Sequence, residues 1–358
     1  MEVHQVLVTA TPGDAITNSA LELRDLLRRL GDSHVFARYI HPDVADEIVP
    51  LREYDRRRAT HHHDDVILFH ASIGEPNVYS FISERPERLV LVYHNISPSK
   101  PFLPYDPAFA GLLEAGRQEL AALKDRVVMA LADSQYNADE LLALGYRDVR
   151  VSRLIIDIER MRRIEPDPQV TEWLTAIEGP VLLFVAQILP HKRPDLLLKA
   201  FHVLVTYLKP EAHLLIVGAN RLPAYAHALE EFRRELNLGA ASFRGSLDDG
   251  AWAAHYRRAD VFVTASEHEG FLVPIVESMA FDLPIVARAH GAIPETMGDA
   301  GVLLPPEEDP VLMAEAVGEV LDNAALRDEL VQRGRQRLEA FHPEKARAEV
   351  LEHLLSVL

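Results

Sequence analysis

The sequence predicts an α/β protein built from two doubly wound, parallel-sheet domains that face each other across a cleft. Its 358 residues exceed what one typical hydrophobic core requires, which favours two domains. Short runs rich in β-branched residues alternate with helical patterns, as expected for parallel strands buried on both faces. The alternation is interrupted at residues 153–173 and then restarts, so each half is predicted to form its own sheet.

The first half contains four predicted strands, each bounded by turn residues. They are VLVTA (6–10), VILFH (66–70), LVLVYH (89–94) and VVMALADS (127–134). Residues 19–32 predict a helix between the first two strands, with Asn18 or Ser19 as its N-cap and Gly31 as its stop. Its apolar stripe, which would pack on the sheet, consists of Ala20, Leu23, Leu27 and Leu30.

The second half repeats the alternation. Its predicted strands are 180–186, 212–218, 259–266, 284–288 and 301–304, and its predicted helices are 194–207, 223–236 and 274–280. Charged residues and two prolines within residues 153–173 interrupt both patterns, which predicts the domain boundary there. A last helix, over about residues 343–358, follows an apparent break at residues 341–343.

Composition excludes several classes of function. The formal charge of -18 disfavours nucleic acid as a partner, because so acidic a chain repels phosphate backbones. The chain has no cysteine, which excludes disulfides and cysteine-based zinc sites. We expect neither a signal peptide nor a transmembrane segment, and we expect the cytoplasm as compartment. Association with the inner face of the membrane and the oligomeric state are left open.

The segment SEHEGFLVPIVESMAFDLPIVA (266–287) places Glu269 and Glu277 eight positions apart. We expect Glu269 in the loop after a buried strand, Pro274 at the first helical position and Glu277 in the first turn. Carboxylates accept hydrogen bonds from the hydroxyls of sugars and ribose, and N–H groups at a helix N-terminus stabilise phosphate. The alternative is a surface Glu269 and a Glu277 that only complements the helix dipole.

Other polar residues follow predicted strands, where open α/β sheets bind their ligands. Gly13 follows the first strand and allows a tight turn, although an ordinary strand-to-helix turn explains it equally well. Lys192 and Arg193 precede a helix and suit an anion, although a solvated basic turn is the common alternative. The remaining strand ends of the first half carry His70, His94, Asn95, Asp133 and Ser134.

The segment EHEGFLVPIVE resembles the E-x7-E motif of retaining glycosyltransferases with the GT-B fold, in particular glycosyltransferase family 4. The resemblance covers nearly the whole chain. It extends to FVAQILPHKRPDLLLKAF (184–201), HYRRADVFVTAS, PIVARAHGAIPET (284–296), GDAITN, YHNISP and ADSQYN. It implies two Rossmann-like domains, residues 1–160 for the acceptor and 161–342 for a nucleotide-sugar donor. It also implies that the helix 343–358 crosses back to the first domain.

The resemblance implies a role for each matching residue. Glu269 would contact the hydroxyls of the donor sugar, Glu277 the ribose and Lys192 the diphosphate, while His94 would approach the sugar from the N-terminal domain. We therefore expect Glu269, His94 and Lys192 to be catalytic. The expected donor-binding residues are Gly13, Asp14, Gln187, Arg193, Gly218, Arg244, Gly245, Ser246, Leu247, Gly270, Phe271, Leu272, Val273 and Glu277. The expected acceptor-side residues are His70, Asn95, Asp133 and Ser134.

Three positions depart from the family pattern. Gln187 replaces an arginine before the lysine loop, Arg193 replaces the glycine after the lysine, and Asp282 replaces a glycine in AFDLP. The loss of the arginine removes one cation from the diphosphate site, and Arg193 either supplies a substitute or does not.

The expected reaction moves a hexose from a GDP- or UDP-linked donor to a saccharide, glycolipid or other glycoconjugate, with GDP-mannose favoured because mannosyl transfer is frequent in this branch. The resemblance favours retention by attack from the same face as that from which the leaving group departs. Glu269 would then orient the sugar. No metal or other cofactor is expected. Asp248 and Asp249 are interpreted as N-cap residues and the histidines 61–63 as a solvated loop.

Rival interpretations are a sugar-nucleotide epimerase, a phosphorylase and a non-catalytic nucleotide-sugar binder. A dehydrogenase or a P-loop enzyme is disfavoured because G-x-G-x-x-G follows no strand and G-x-x-x-x-G-K-[ST] is absent.

Overall fold

A computed structural model of the chain describes residues 2–57 and 65–358. The chain divides into two compact units. The first comprises residues 1–100, 107–156 and 341–358, and the second comprises residues 101–106 and 157–340. Within the described ranges, no helix is both long and apolar enough to span a bilayer. The histidines 61–63, predicted to lie in a solvated loop, fall outside the described residues.

The strands and helices alternate along the chain in both units. In chain order the strands are β1 (Val3–Ala10), β2 (Val35–Ile40), β3 (Val49–Pro50), β4 (Val66–Ala71), β5 (Arg88–Tyr93), β6 (Val127–Ala132), β7 (Val149–Val151), β8 (Val181–Val185), β9 (His213–Val217), β10 (Ala241–Gly245), β11 (Val261–Thr264), β12 (Ile285–Arg288) and β13 (Gly301–Leu304). The helices are α1 (Ala15–Leu27), α2 (Tyr54–Arg57), α3 (Pro76–Ser83), α4 (Pro107–Leu123), α5 (Gln135–Ala143), α6 (Ile158–Arg163), α7 (Pro168–Thr175), α8 (Pro194–Tyr207), α9 (Pro223–Glu235), α10 (Asp249–Arg258), α11 (Val273–Ala280), α12 (Ile293–Met297), α13 (Pro310–Asp322), α14 (Ala324–Leu338) and α15 (Pro343–Leu355).

Each unit contains a parallel sheet. The order is β3-β2-β1-β4-β5-β6-β7 in the first unit and β10-β9-β8-β11-β12-β13 in the second. All six residues of β4 are buried, as are all four of β11 and of β12, because helices cover both faces of a doubly wound sheet. The predicted fold class is confirmed.

The first helix begins earlier than predicted. Asp14 is the N-cap of α1, and its carboxylate accepts the backbone N–H of Thr17 at 3.0 Å, so Asn18 and Ser19 lie inside the helix. Gly13 adopts φ +72°, a left-handed conformation that suits glycine and turns the chain into the helix. The helix ends at Leu27, and Leu30 is 45% exposed, so the predicted apolar stripe stops one turn sooner.

The C-terminal helix α15 belongs to the first unit. Its apolar residues Ala346, Val350 and Leu354 pack into a core cluster that includes Leu23 and Leu27 of α1. Arg347 also pairs with the Glu22 carboxylate at 2.7 Å. These contacts explain why the segment joins the first unit although it follows the second in sequence.

The two units divide between residues 156 and 157, whereas the sequence prediction placed the boundary between 160 and 161. Asp157 caps α6 by accepting the Arg160 N–H at 2.8 Å, and α6 packs within the second unit. Residues 101–106 also belong to the second unit, which the sequence did not indicate. The ring of Phe102 in that segment lies 5.4 Å from the ring of His191.

Candidate active site

Glycine brings three loops together at the carboxyl edge of the second sheet, where such sheets bind ligands. A Cβ atom on Gly218 would lie 1.8 Å from the Ala186 carbonyl oxygen, so only glycine fits between the loops after β8 and β9. The Gly218 N–H also donates to the Gly245 carbonyl at the end of β10 at 2.9 Å. Gln187, half-buried, therefore lies beside Gly218 and close to the β10 loop.

Lys192 and Glu269 form an ion pair at this edge. Lys192 ends a short 3-10 helix (Pro190–Lys192) after β8, and Glu269 lies in the loop after β11. The Lys192 Nζ atom is 2.6 Å from Glu269 Oε2, and the Glu269 side chain is only 5% exposed. The structure thus brings together two residues that lie 77 positions apart and that the sequence predicted to be catalytic.

The second oxygen of Glu269 is available for a ligand. Oε1 is buried, and no described residue donates a hydrogen bond to it. A buried acceptor left without a donor costs about 1–3 kcal/mol, which a bound hydroxyl would recover. The arrangement therefore offers a desolvated, oriented carboxylate oxygen to a polar ligand.

Gly291, which sequence reasoning did not single out, holds the backbone of Glu269. The Ala292 N–H donates to the Glu269 carbonyl at 2.9 Å, and a Cβ atom on Gly291 would lie 2.3 Å from that carbonyl. The signal available in the sequence was a glycine three residues after a strand, in AHGAIP. Its function becomes visible only when the two loops are seen in contact.

The N-terminus of α11 points to an anion site. Leu272, the N-cap residue, adopts the left-handed conformation (φ +70°), and no described side chain caps the helix. A non-glycine residue in this region is strained, and such strain clusters at ligand sites. The helix begins at Val273, directly after this left-handed residue. Pro274 is therefore the second helical residue rather than the first, and Glu277 lies beyond the first turn rather than within it, so both predictions were wrong.

Glu277 lies on α11 and is half-buried. Its Oε2 atom accepts the Tyr256 hydroxyl at 2.6 Å, which orients the carboxylate from α10. Burial raises the pKa of Glu277 to about 7, against smaller opposing effects from the Tyr256 and Trp252 side chains. The two glutamates of the motif therefore differ, because Glu269 has a cation as its partner and Glu277 has neutral donors.

Arg193, predicted to bind the donor, is surrounded by carboxylates. Its guanidinium makes two contacts of 2.9 Å with Asp195 and further contacts with Glu267 and Glu308. Four of its five N–H donors are thus occupied. These contacts leave its charge compensated within the second unit, whereas Lys192 shares its charge with one carboxylate.

Both positions where the resemblance expected glycine keep a left-handed backbone. Arg193 has φ +53° and Asp282 has φ +56°, a region that glycine adopts without strain. Each non-glycine residue also has ion-pair partners, since Asp282 contacts the Arg335 guanidinium at 2.6 and 2.7 Å. The chain therefore keeps at these two positions the backbone conformation that glycine favours.

The predicted donor-binding residues 244–247 lie at the end of β10 and in the loop after it. The Arg244 guanidinium stacks 4.1 Å from the ring centre of Trp173, and Gly245 has φ +69°. Gly245 and Ser246 are exposed and Leu247 is half-buried. Asp248 caps α10 by accepting the Ala251 N–H at 2.8 Å, which confirms its predicted capping role.

Asp249 is not a cap but the first residue of α10, and it pairs with Arg160 at 2.7 Å. Within residues 2–57 and 65–358, no three His, Asp or Glu side chains converge as metal ligands would.

The polar residues predicted on the acceptor side lie in the first unit. His94 contacts His70 and Asp133, each at 2.8 Å. Asn95, at φ +72°, donates to Asn137 at 2.8 Å, and Ser134 caps α5. The structure thus gives His94 partners within its own unit at both ring nitrogens, and Asp14 is likewise used as a helix cap.

Comparison with known proteins finds a family match within the second unit. Residues 171–337 match the family model described as Glycosyl transferases group 1. A D-inositol 3-phosphate glycosyltransferase of Kineococcus radiotolerans is 30% identical over 46% of this chain and 41% of its own length. A GDP-mannose-dependent monoacylated alpha-(1-6)-phosphatidylinositol monomannoside mannosyltransferase of Corynebacterium glutamicum is 27% identical over 45% of this chain and 43% of its own length. The chain thus spans half or less of the length of the first curated relatives that it matches.

Solved structures resemble the whole chain. Anabaena HepE, solved in complex with UDP-glucose, aligns with a TM-score of 0.74 over 99% of this chain and all of its own, at 19% identity. Identity this low carries the fold alone. Residues 171–337 therefore match the glycosyltransferase group 1 family, and the chain has the GT-B fold.

Proposed function

We propose that this chain is a retaining glycosyltransferase that moves a hexose from a nucleoside-diphosphate sugar to a hydroxyl of a saccharide or glycoconjugate. The observation that carries the proposal is the Lys192–Glu269 ion pair. Glu269 lies in the motif loop that leads into α11, and one of its oxygens is buried and available to a ligand. The lysine and the helix N-terminus suit the diphosphate of a nucleotide-sugar, and the free carboxylate oxygen suits the sugar hydroxyls.

The roles of the residues follow from where charge develops. Cleavage of the anomeric C–O bond places negative charge on the leaving diphosphate, which Lys192 and the α11 N-terminus would stabilise. Glu269 would accept hydrogen bonds from the sugar hydroxyls through Oε1, and Glu277 would accept those of the ribose. When the donor binds, the Lys192 ammonium group would share its hydrogen bonds between Glu269 and the diphosphate.

We propose that the configuration is retained because the acceptor hydroxyl attacks the sugar from the same face from which the leaving group departs. The Glu269 carboxylate is tied to Lys192 at 2.6 Å, which supports an orienting role rather than a covalent one. The leaving phosphate would then take the proton of the acceptor hydroxyl. Proton NMR at early reaction times would show the anomeric configuration of the hydrolysed or transferred sugar. We expect the configuration of the donor to be unchanged in the product, and an inverted product would contradict the proposal.

We propose GDP-mannose as the first donor to test. The Corynebacterium relative is named as GDP-mannose-dependent, whereas HepE was solved with UDP-glucose, so both donors belong in the panel. Thermal shift with GDP, UDP, ADP and the corresponding monophosphates should reveal one base whose diphosphate raises the melting temperature most. Equal shifts for all nucleotides, or none, would contradict a nucleoside-diphosphate site.

The proposal includes metal independence, because a lysine and backbone N–H groups would meet the leaving charge. Turnover should persist in EDTA after extensive dialysis. Loss of turnover that magnesium or manganese restores would overturn this part of the proposal.

The second candidate is a non-catalytic binder of nucleotide-sugars. Two observations favour it: position 187 is a glutamine where the family pattern has an arginine, and the Arg193 charge is compensated by three carboxylates. The leaving charge would then have little side-chain support beyond Lys192. Slow donor hydrolysis that disappears in Lys192→Ala would dismiss the binder, whereas tight donor binding without any turnover would support it.

A further inference from the structure

Four side chains of the first unit form a continuous hydrogen-bonded line. The Gln5 Oε1 atom lies 2.9 Å from His70 Nε2, His70 Nδ1 lies 2.8 Å from His94 Nε2, and His94 Nδ1 lies 2.8 Å from Asp133 Oδ2. The side chains of His94 and Asp133 are only 2% and 5% exposed, and Gln5 and His70 are buried as well. The line joins the predicted catalytic histidine to two predicted acceptor-side residues and to Gln5, which the sequence did not single out.

Both ends of this line are acceptors. The Gln5 Nε2 atom donates to the Ala20 carbonyl at 2.8 Å, so the amide oxygen, rather than the amide nitrogen, faces His70. The Asp133 carboxylate at the other end accepts when ionised. The ring nitrogen that faces Gln5 must therefore carry a proton, and so must the nitrogen that faces Asp133 when that carboxylate is ionised.

The middle contact needs a proton of its own. Two nitrogens 2.8 Å apart form a hydrogen bond only when one of them is protonated. The three contacts together thus require three protons, whereas two neutral imidazoles supply two. One proton must be added to the His70–His94 pair or to the Asp133 carboxyl.

We infer that the extra proton lies on His94, which is held as an imidazolium ion between His70 and Asp133. An imidazole is ordinarily more basic than a carboxylate, with pKa values of about 6.5 and 3.9, so the ring rather than Asp133 takes the proton. His94, and not His70, contacts the carboxylate that stabilises the positive charge. The His94 Nε2–H then donates to His70, and its Nδ1–H donates to Asp133.

The electrostatics of His70 agree with this assignment. Burial lowers the pKa of His70 well below its ordinary value, and the neighbouring His94 lowers that pKa further. His70 therefore remains neutral, with its proton on Nε2 for Gln5 and its lone pair on Nδ1 for His94. The net charge of His70, His94 and Asp133 together is zero.

His4 provides a contrast within the same unit. Its Nε2 atom lies 3.1 Å from the Glu2 carboxylate, but its Nδ1 atom accepts the backbone N–H of His34 at 3.2 Å. One ring proton satisfies both contacts, and burial lowers the pKa of His4, so this ring remains neutral beside its carboxylate. The partner of the second nitrogen, rather than the carboxylate alone, distinguishes the two histidines.

The consequence concerns the predicted function of His94. Both of its N–H groups are used within the unit, so the ring offers neither a free donor nor a basic lone pair. His94 would act as a fixed positive charge and as a packing surface, and not as a general base. Gln5, His70 and Asp133 are then positioning residues for that ring, a conclusion that does not depend on the transfer reaction.

Nitrogen-15 NMR of the histidine side chains in the full chain tests the inference. At pH 7.5, above the ordinary pKa, we expect a ring with both nitrogens protonated, and its loss in His94→Gln assigns it. Asp133→Asn should abolish the doubly protonated state, because an asparagine amide can donate to a neutral ring. Glu2→Gln, beside His4, is the matched control and should leave the signal unchanged.

A second variant protects the test against misfolding at Asp133. Gln5→Met removes the acceptor beyond His70, so two ring protons satisfy the line and the doubly protonated ring should disappear although Asp133 is intact. Absence of any doubly protonated ring in the wild type at pH 7.5 would overturn the inference. Its persistence in folded Asp133→Asn or Gln5→Met protein would overturn it as well.

Discussion

Lys192 and Arg193 are neighbours of equal charge, yet their surroundings differ. Lys192 contacts one buried carboxylate, Glu269, whose second oxygen has no donor among the described residues. Arg193 contacts three carboxylates, of which Glu308 is half exposed. The left-handed conformation of Arg193 reverses the chain between the 3-10 helix and α8, and the two side chains consequently meet different partners.

The difference teaches that the number of carboxylates around a cation decides what the cation is free to do. A charge shared among three carboxylates gains little from a fourth anion, since part of its interaction would have to be given up. A charge with one partner can turn to a diphosphate at smaller cost. We therefore propose a functional role for Lys192 and a structural role for Arg193.

Removal of Lys192 should have the largest effect on catalysis. We expect Lys192→Ala to lose about 3–4 kcal/mol of transition-state stabilisation, or two to three decades in kcat, as for other preorganised charge stabilisers. Steady-state turnover at saturating donor measures the loss. Lys199→Ala, an exposed lysine on the following helix, is the matched control and should keep wild-type turnover. Near-normal turnover of Lys192→Ala would remove the basis of the comparison.

The two motif glutamates extend the comparison to the anionic side. Glu277→Ala should chiefly weaken nucleotide binding by about 1.5–3 kcal/mol, because a ribose contact is made equally in the ground and transition states. Glu269→Ala should lower kcat as well, because its ligand is the reacting sugar. Calorimetry with the nucleoside diphosphate, alongside turnover, separates the two. Unchanged nucleotide affinity in Glu277→Ala would show that its ribose assignment is wrong.

Arg193 should matter more for folding than for turnover. Arg193→Ala leaves Asp195, Glu267 and Glu308 without their shared cation, and we expect it to lower the free energy of unfolding by about 1–3 kcal/mol while kcat stays close to wild type. Arg193→Gly loses the same ion pairs but relieves the left-handed backbone, so it should be more stable than the alanine variant. Urea denaturation measures both. A loss of turnover in Arg193→Ala comparable to that of Lys192→Ala would mean that Arg193 binds the diphosphate.

Restoring the missing arginine sharpens the comparison with a smaller effect. Gln187 is half-buried beside Gly218, so Gln187→Arg would add a cation next to the β10 loop. We expect nucleoside-diphosphate binding to strengthen by about 1 kcal/mol, or roughly fivefold, from one added charge-assisted contact. Weaker diphosphate binding would show that the position no longer admits an arginine.

The sequence predicted the sheets well where the strands are uniformly apolar. Residues 66–70 and 301–304 are strands, and the helix 194–207 has the predicted bounds. The strands β2, β3, β7 and β10 were missed, because they are short or carry polar residues that break the apolar run, as in ASFRG of β10. Residues 101–106 join the second unit through tertiary contacts, which no local pattern encodes.

The candidate site was predictable where a motif carries it and not where distant partners decide. The resemblance indicated Glu269 and Lys192, but the partners Glu267 and Glu308 of Arg193 lie 74 and 115 positions away. The same holds for His94, because the inferred protonation of its ring depends on the contact between His70 and Gln5, which lie 65 positions apart. Residue types thus indicate which chemistry is present, and the fold decides which charges remain available.

The affinity difference between a nucleoside diphosphate and its monophosphate tests the central claim most directly. Calorimetry would measure both ligands, with the base chosen by the thermal shift panel, on the wild type, Lys192→Ala and Arg193→Ala. The account predicts that the diphosphate binds the wild type and Arg193→Ala more tightly than the monophosphate, and that Lys192→Ala loses most of this advantage. An advantage retained in Lys192→Ala but lost in Arg193→Ala would contradict the account, since Arg193 would then hold the diphosphate.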